Sequence, residues 1–149
     1  MQIWVDADAC PKAVKEILYR TAKRLSVAVT FVANLPLRTP KSQYIHTIQV
    51  PGGFDVADLK IIELIRDGDL VISADIPLVA EVIKKGGFAI NPRGTFYTKD
   101  NIGEYLSLRN LSAELRGSGV ETGGPGPLSF ADRNNFANQL DHFLTQRNK

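Results

Sequence analysis

From residue 3 to about residue 90 the chain alternates short β-branched or aliphatic runs with stretches of helical period, and that alternation limits the folds open to it more than any other feature. Ile3 to Val5 is apolar and stops at Asp6. Pro11 then stands where a helix can begin, followed by Val14, Ile17, Leu18 and Leu25 at helical spacing. Val27 to Ala33 and Tyr44 to Val50 are the second and third strand candidates. Between them the segment Leu35-Pro-Leu-Arg-Thr-Pro40 can continue neither a strand nor a helix. A helix is expected over 56–66, and Asp67-Gly68-Asp69 turns the chain into a fourth strand, Leu70 to Ser73. A helix over 76–85 and a short strand at Phe88 to Ile90 follow. Successive strands separated by helices need crossover connections. The expectation is therefore an α/β fold with a mostly parallel sheet of four to five strands flanked by helices.

After Asn91-Pro-Arg-Gly94 the pattern reads as helix only, with Tyr105, Leu108, Leu111 and Leu115 on one apolar stripe. Residues 117–128 are too rich in Gly and Pro for regular structure and read as a flexible connection. Ser129 and Asp132 have the spacing of a capping box opening a last helix, whose apolar stripe is Phe136, Leu140, Phe143 and Leu144. No internal repeat is visible. At 149 residues, 44% of them hydrophobic, one domain spanning 1–149 is the expectation.

A formal net charge of +2 excludes a strongly basic nucleic-acid-binding surface read from composition alone, so any such function has to rest on local arrangement. The single cysteine, Cys10, excludes an internal disulfide and a cysteine-only metal cage and suits a reducing compartment, the cytosol. The opening residues resemble neither a signal peptide nor a membrane span.

Four aspartates map to one edge of the expected sheet. Asp6 closes the first strand, Asp8 follows it, Asp75 follows the fourth strand, and Asp58 lies in the first turn of the helix entered from the third. In open α/β sheets the ligand crevice lies beyond the carboxyl ends of the strands. Strands lie about 4.8 Å apart, so carboxylates there can share a cation, and all-oxygen ligation suits Mg²⁺ or Mn²⁺. The alternative is capping. Asp55 and Asp58 sit where a helix start wants acids, and Asp75 can cap the next helix. Asp6 and Asp8 resist that explanation, because a turn does not require two aspartates flanking one alanine. Arg93, Arg109, Arg116 and Arg133 come later, and their guanidinium groups suit phosphate oxygens, although each can equally well solvate a helix surface. Cys10 reads as a small buried residue rather than a nucleophile, and His46 as a strand residue with no role.

The blocks VDADACP, GGFDVADLKIIELI, GDLVISADIPLVAEVIKKGG, AINPRGTFYT, GGPGP and SFADRNNF together resemble the bacterial YaiI/YqxD family over nearly the whole chain. That family is similar in turn to the PIN-like and NYN nuclease superfamily. The looser resemblance implies a PIN-like fold, Mg²⁺ or Mn²⁺ as cofactor, and cleavage of RNA or DNA, with RNA preferred here. By position it implies Asp6, Asp58 and Asp75 as metal-holding catalytic acids, with Asp8 an addition. Ile76-Pro77-Leu78 supplies no further acid where PIN-like proteins often have one. Two other readings stay open. One is a phosphatase resembling the haloacid-dehalogenase group, with Asp6 as nucleophile, Asp8 as general acid and Ser73 in the second motif, against which Cys10-Pro11 replaces the usual Gly-Thr. The other is a nucleic-acid or nucleotide-binding module without turnover.

Overall fold

The computed structural model describes every residue except 54, 118–126 and 148–149, together with the backbone but not the side chains of 112–117. The strands are β1 (Ile3–Asp6), β2 (Val29–Ala33), β3 (Ile45–Gln49), β4 (Leu70–Ile72), β5 (Phe88–Ile90) and β6 (Phe96–Tyr97). The helices are α1 (Lys12–Leu25), α2 (Val56–Leu64), α3 (Ile76–Lys84), α4 (Ile102–Gly117) and α5 (Phe130–Arg147). The six strands form one sheet in the order β3-β2-β1-β4-β5-β6. The first five are parallel, and β6 joins β5 antiparallel.

The sheet has one strand more than the sequence suggested. Beyond β5 the pattern read as helix alone, yet Asn91 closes a tight turn that returns the chain along the sheet. Its side-chain oxygen accepts from Arg93 N–H at 2.9 Å and Thr95 N–H at 3.1 Å, and its own N–H donates to Thr95 C=O. Gly94 takes φ +91°, which a side chain tolerates poorly. A two-residue strand has no periodicity to read, so only the turn chemistry could have announced it.

Period-2 alternation divides the strand side chains between two cores. On one face Ile3, Val5, Val29, Phe31, Leu70, Ile72 and Ile90 pack against Val14 and Leu18 of α1 and Phe136, Leu140 and Leu144 of α5. On the other face Trp4, Val32, Val71 and Ala89 meet Ile61 of α2 and Leu78, Val79 and Val82 of α3. Each such side chain, fully withdrawn from water, contributes roughly 1.5–3 kcal/mol. Both faces of the central strands are therefore covered, which explains why their sequences are continuously apolar rather than alternating.

The capping box is present: Ser129 Oγ accepts from Asp132 N–H and Asp132 Oδ2 from Ser129 N–H, each at 3.0 Å. The expected α4 stripe fares less well. Tyr105 packs on the second core, but Leu108 and Leu111 are exposed. Most of the expected 117–128 connection lies outside the described residues.

The order of the strands places a crevice. From β1 the chain adds β2 and β3 on one side, then returns to add β4 and β5 on the other. The carboxyl ends of β1 and β4 thus flank the point where the winding reverses, which is where α/β sheets open toward ligands.

Candidate metal centre

Asp6 ends β1 half-buried, and Ser73 is the first residue past β4, its neighbour in the sheet. The Ser73 hydroxyl donates to Asp6 Oδ2 at 3.3 Å, and Ser73 Oγ itself accepts the Asp75 N–H at 3.0 Å. Ser73 therefore ties the ends of both central strands to the start of α3. Asp75 is the N-cap of that helix, its Oδ1 accepting from Leu78 N–H at 3.2 Å. Capping uses one oxygen of a carboxylate that has several acceptor positions, so the expected capping role and a ligand role are compatible.

The third contribution comes from α2, which packs against α3. Asp55 stands at its N-cap with φ +62° and makes no side-chain cap bond. Asp58, three residues on, falls on the same side of the helix. One ligand oxygen from each of Asp55, Asp58 and Asp75 lies within 4.8 Å of the others. Among the described residues no lysine or arginine forms an ion pair with any of these three, nor with Asp6 or Asp8.

Crowded acids without a counter-charge hold protons. Burial, then a hydrogen bond to Asp75, then the charges of Asp75, Asp6 and Asp55 push the Asp58 carboxyl up to about 7. Burial also raises Asp6; the Ser73 hydroxyl opposes the shift, and the charges of Asp75 and Asp8 add to it. A proton here occupies ground that a hard divalent cation could take, and every donor offered is oxygen.

A family model described as "Uncharacterized BCR, YaiI/YqxD family" matches residues 4–146. The chain belongs to the YaiI/YqxD family. Curated relatives agree: a UPF0178 protein of Herminiimonas arsenicoxydans is 60% identical over the full length of both chains. One from Janthinobacterium sp. (strain Marseille) is 60% identical over all of this chain and 99% of its own. Another, from Yersinia pestis (strain Pestoides F), is 57% identical over 98% of this chain and 96% of its own. No solved structure matches the chain.

Within this YaiI/YqxD protein the four aspartates singled out from sequence do not form one group. Asp58 and Asp75 meet, and Asp6 adjoins them through Ser73. Asp8 turns aside: it sits in a single 3-10 turn, Ala7–Ala9, and its Oδ2 accepts the Asn34 N–H at 2.8 Å, closing the end of β2. Asp55, rather than Asp8, lies beside Asp58 and Asp75. The sequence presents Asp55 as a helix-capping acid; its spacing of three residues from Asp58 is what puts the two on one side of the helix start.

The arginines also separate. Arg109 of α4 lines the hollow of about 410 Å³ that contains Asp55, Asp58 and Asp75, together with Pro77 and Glu81. Arg93 pairs with Asp132 and lines a neighbouring cleft with Ala9, Ala74 and Tyr97. Arg133 lies over the Phe130 ring, 5.5 Å from its centroid. The Arg116 side chain lies outside the described residues. Cys10 is buried, which pushes its thiol up to about 12 and makes it a core residue rather than a nucleophile. His46 is exposed on β3.

Proposed function

We propose that this YaiI/YqxD protein is a divalent-metal-dependent phosphodiesterase of nuclease type, acting on nucleic acid with RNA preferred. The observation that carries the reading is the clustered Asp55, Asp58 and Asp75 group at the switch point of the sheet, one of whose members is pushed to about 7 by burial and then by its acidic neighbours. Asp55, Asp58 and Asp75 would hold Mg²⁺ or Mn²⁺. Asp6, fixed by Ser73, adds negative potential beside them and would serve as a proton acceptor for a water that the ion activates. Arg109, on the wall of the same hollow, supplies the positive charge that draws a phosphate toward an otherwise anionic site. When bound, the ion lowers the pKa of a water and stabilises charge developing on a phosphate. The looser resemblance of the sequence to PIN-like nucleases implies the same reading.

Calorimetric titration of Mn²⁺ into wild type, Asp58→Asn and the Asp6→Asn, Asp8→Asn pair tests the site, alongside cleavage of single-stranded RNA and DNA with Mn²⁺ or EDTA. Loss of Mn²⁺ binding in Asp58→Asn and EDTA-sensitive cleavage by wild type are expected. Mn²⁺ affinity equal in all three proteins would remove the centre; RNA binding that persists in EDTA without cleavage would leave a binding module. The phosphatase reading has one favourable contact, Ser73 on Asp6, but Asp8, its required general acid, is held by Asn34 N–H. Failure of beryllium fluoride to bind at Asp6 is the outcome expected here.

A further inference from the structure

A second cavity adjoins the aspartate hollow. It measures about 450 Å³ and opens at the same carboxyl edge of the sheet, where Ala9 follows β1, Ala74 follows β4 and Asn91 to Arg93 follow β5. Ala74 lines this cavity and Asp75 lines the hollow, so the boundary between them is crossed in one residue step, about 3.8 Å along the chain.

The two are chemically unlike. Pro11, Pro92 and Leu128 give the second cavity rigid or aliphatic walls, and Ala9 and Ala74, both exposed, leave room where a longer side chain would project. Arg93 is the one charged residue among the described lining residues, and Asp132 pairs with it. The polar feature of the wall is Tyr97, 5% exposed, whose oxygen accepts from Asn91 Nδ2 at 3.1 Å. Burial pushes the Tyr97 hydroxyl above its ordinary value, so it keeps its proton at neutral pH. Among the described residues nothing accepts that proton.

An occupant that displaces water from this hydroxyl without offering an acceptor costs about 1–3 kcal/mol. A purely aliphatic group offers none. A phosphate or carboxylate does, but it would lose its hydration against apolar walls whose single cation is already paired. A neutral, flat body with apolar faces and acceptors along its edge meets both conditions. We propose that this cavity is a nucleobase subsite, in which the base lies against Pro11, Pro92 and Leu128 and presents a carbonyl oxygen or ring nitrogen to the Tyr97 hydroxyl. The assignment rests on the phosphodiesterase reading above: base and phosphate of one nucleotide are joined through a single sugar, and the 74–75 boundary would set the base on the apolar side and the phosphate on the side of the aspartates and Arg109.

Backbone amide shifts of the full chain in EDTA, titrated with adenosine, uridine or ribose, read the base separately from any metal. Both nucleosides should shift the Tyr97 and Leu128 amides, and ribose should not. Tyr97→Phe should weaken nucleoside binding at least fivefold with unchanged far-ultraviolet circular dichroism. Ala9→Leu, at an exposed position, should fill the cavity and abolish binding. Nucleosides that shift no amide around the cavity, or that bind wild type and Ala9→Leu equally, would overturn the proposal. Nucleoside binding by a protein that takes up no Mn²⁺ would remove the phosphodiesterase reading and keep the subsite. A single-stranded RNA octamer bound at least tenfold more tightly than uridine 5′-monophosphate assigns the base to a strand; equal affinity assigns it to a free nucleotide.

Discussion

Protonation of Asp58 should make the metal-free protein more stable in mild acid than at neutral pH, against the usual trend for carboxylates. Its carboxyl moves from an ordinary 3.8 to about 7 because burial and the Asp75, Asp6 and Asp55 carboxylates disfavour its charge. A raised folded-state pKa means that the native protein binds the proton more tightly than the unfolded chain does. The resulting stabilisation is complete below the unfolded value near 4 and is lost as pH climbs through about 7. At 1.36 kcal/mol per pKa unit the whole displacement would be worth roughly 4 kcal/mol. Asp58 is only half-buried, however, and solvent screening reduces that to about 1–2 kcal/mol. For a chain of this length the loss is about 3–6 °C in Tm. Thermal unfolding followed by circular dichroism in EDTA, at half-unit steps from pH 4.5 to 8, should show that decline in wild type. Asp58→Asn, permanently neutral, should flatten it and should be the more stable protein at pH 8. If the variant declines with pH as steeply as wild type, Asp58 does not carry the raised pKa and the crowded-acid reasoning fails.

Saturating Mn²⁺ should raise Tm by several degrees at pH 7.5 and much less at pH 5, where protons compete for the same oxygens; equal shifts at both would place the ion elsewhere. Asp69→Ala should cost about 2–4 kcal/mol, because one buried carboxylate accepts from Gln2 N–H, Trp4 Nε1–H and Arg66 N–H; chemical denaturation monitored by the single tryptophan reads it. Phe136→Ala should cost about 3–5 kcal/mol in the same assay without altering Mn²⁺ affinity, since Phe136 belongs to the core on the α1 and α5 face. Arg109→Gln should leave Tm unchanged and lower the affinity for single-stranded RNA at low salt, with a shallower salt dependence.

Local pattern carried most of the architecture. Five of the six strands and all five helices were legible because each is long enough, or apolar enough, to show its period, and because Asn, Gly, Pro and Ser-x-x-Asp mark the ends. The sixth strand escaped because two residues carry no period. The exposed face of α4 was misread because Leu108 and Leu111 satisfy helical spacing whether or not anything covers them. The aspartates show the same division. Their gathering at the carboxyl edge follows from where they fall relative to strand ends, which the sequence displays.

What the residues alone determined is the α/β alternation, the crossover connections it requires, and the set of acids delivered to one end of the sheet. Which of those acids touch was decided only by packing. Asp6 and Asp8 are neighbours in sequence, yet the 3-10 turn sends Asp8 to the Asn34 amide, while α2 and α3, some twenty residues apart along the chain, press Asp58 against Asp75. Side-chain direction at a strand end depends on a turn whose geometry is set by tertiary contacts, and spacing along a chain carries no information about it.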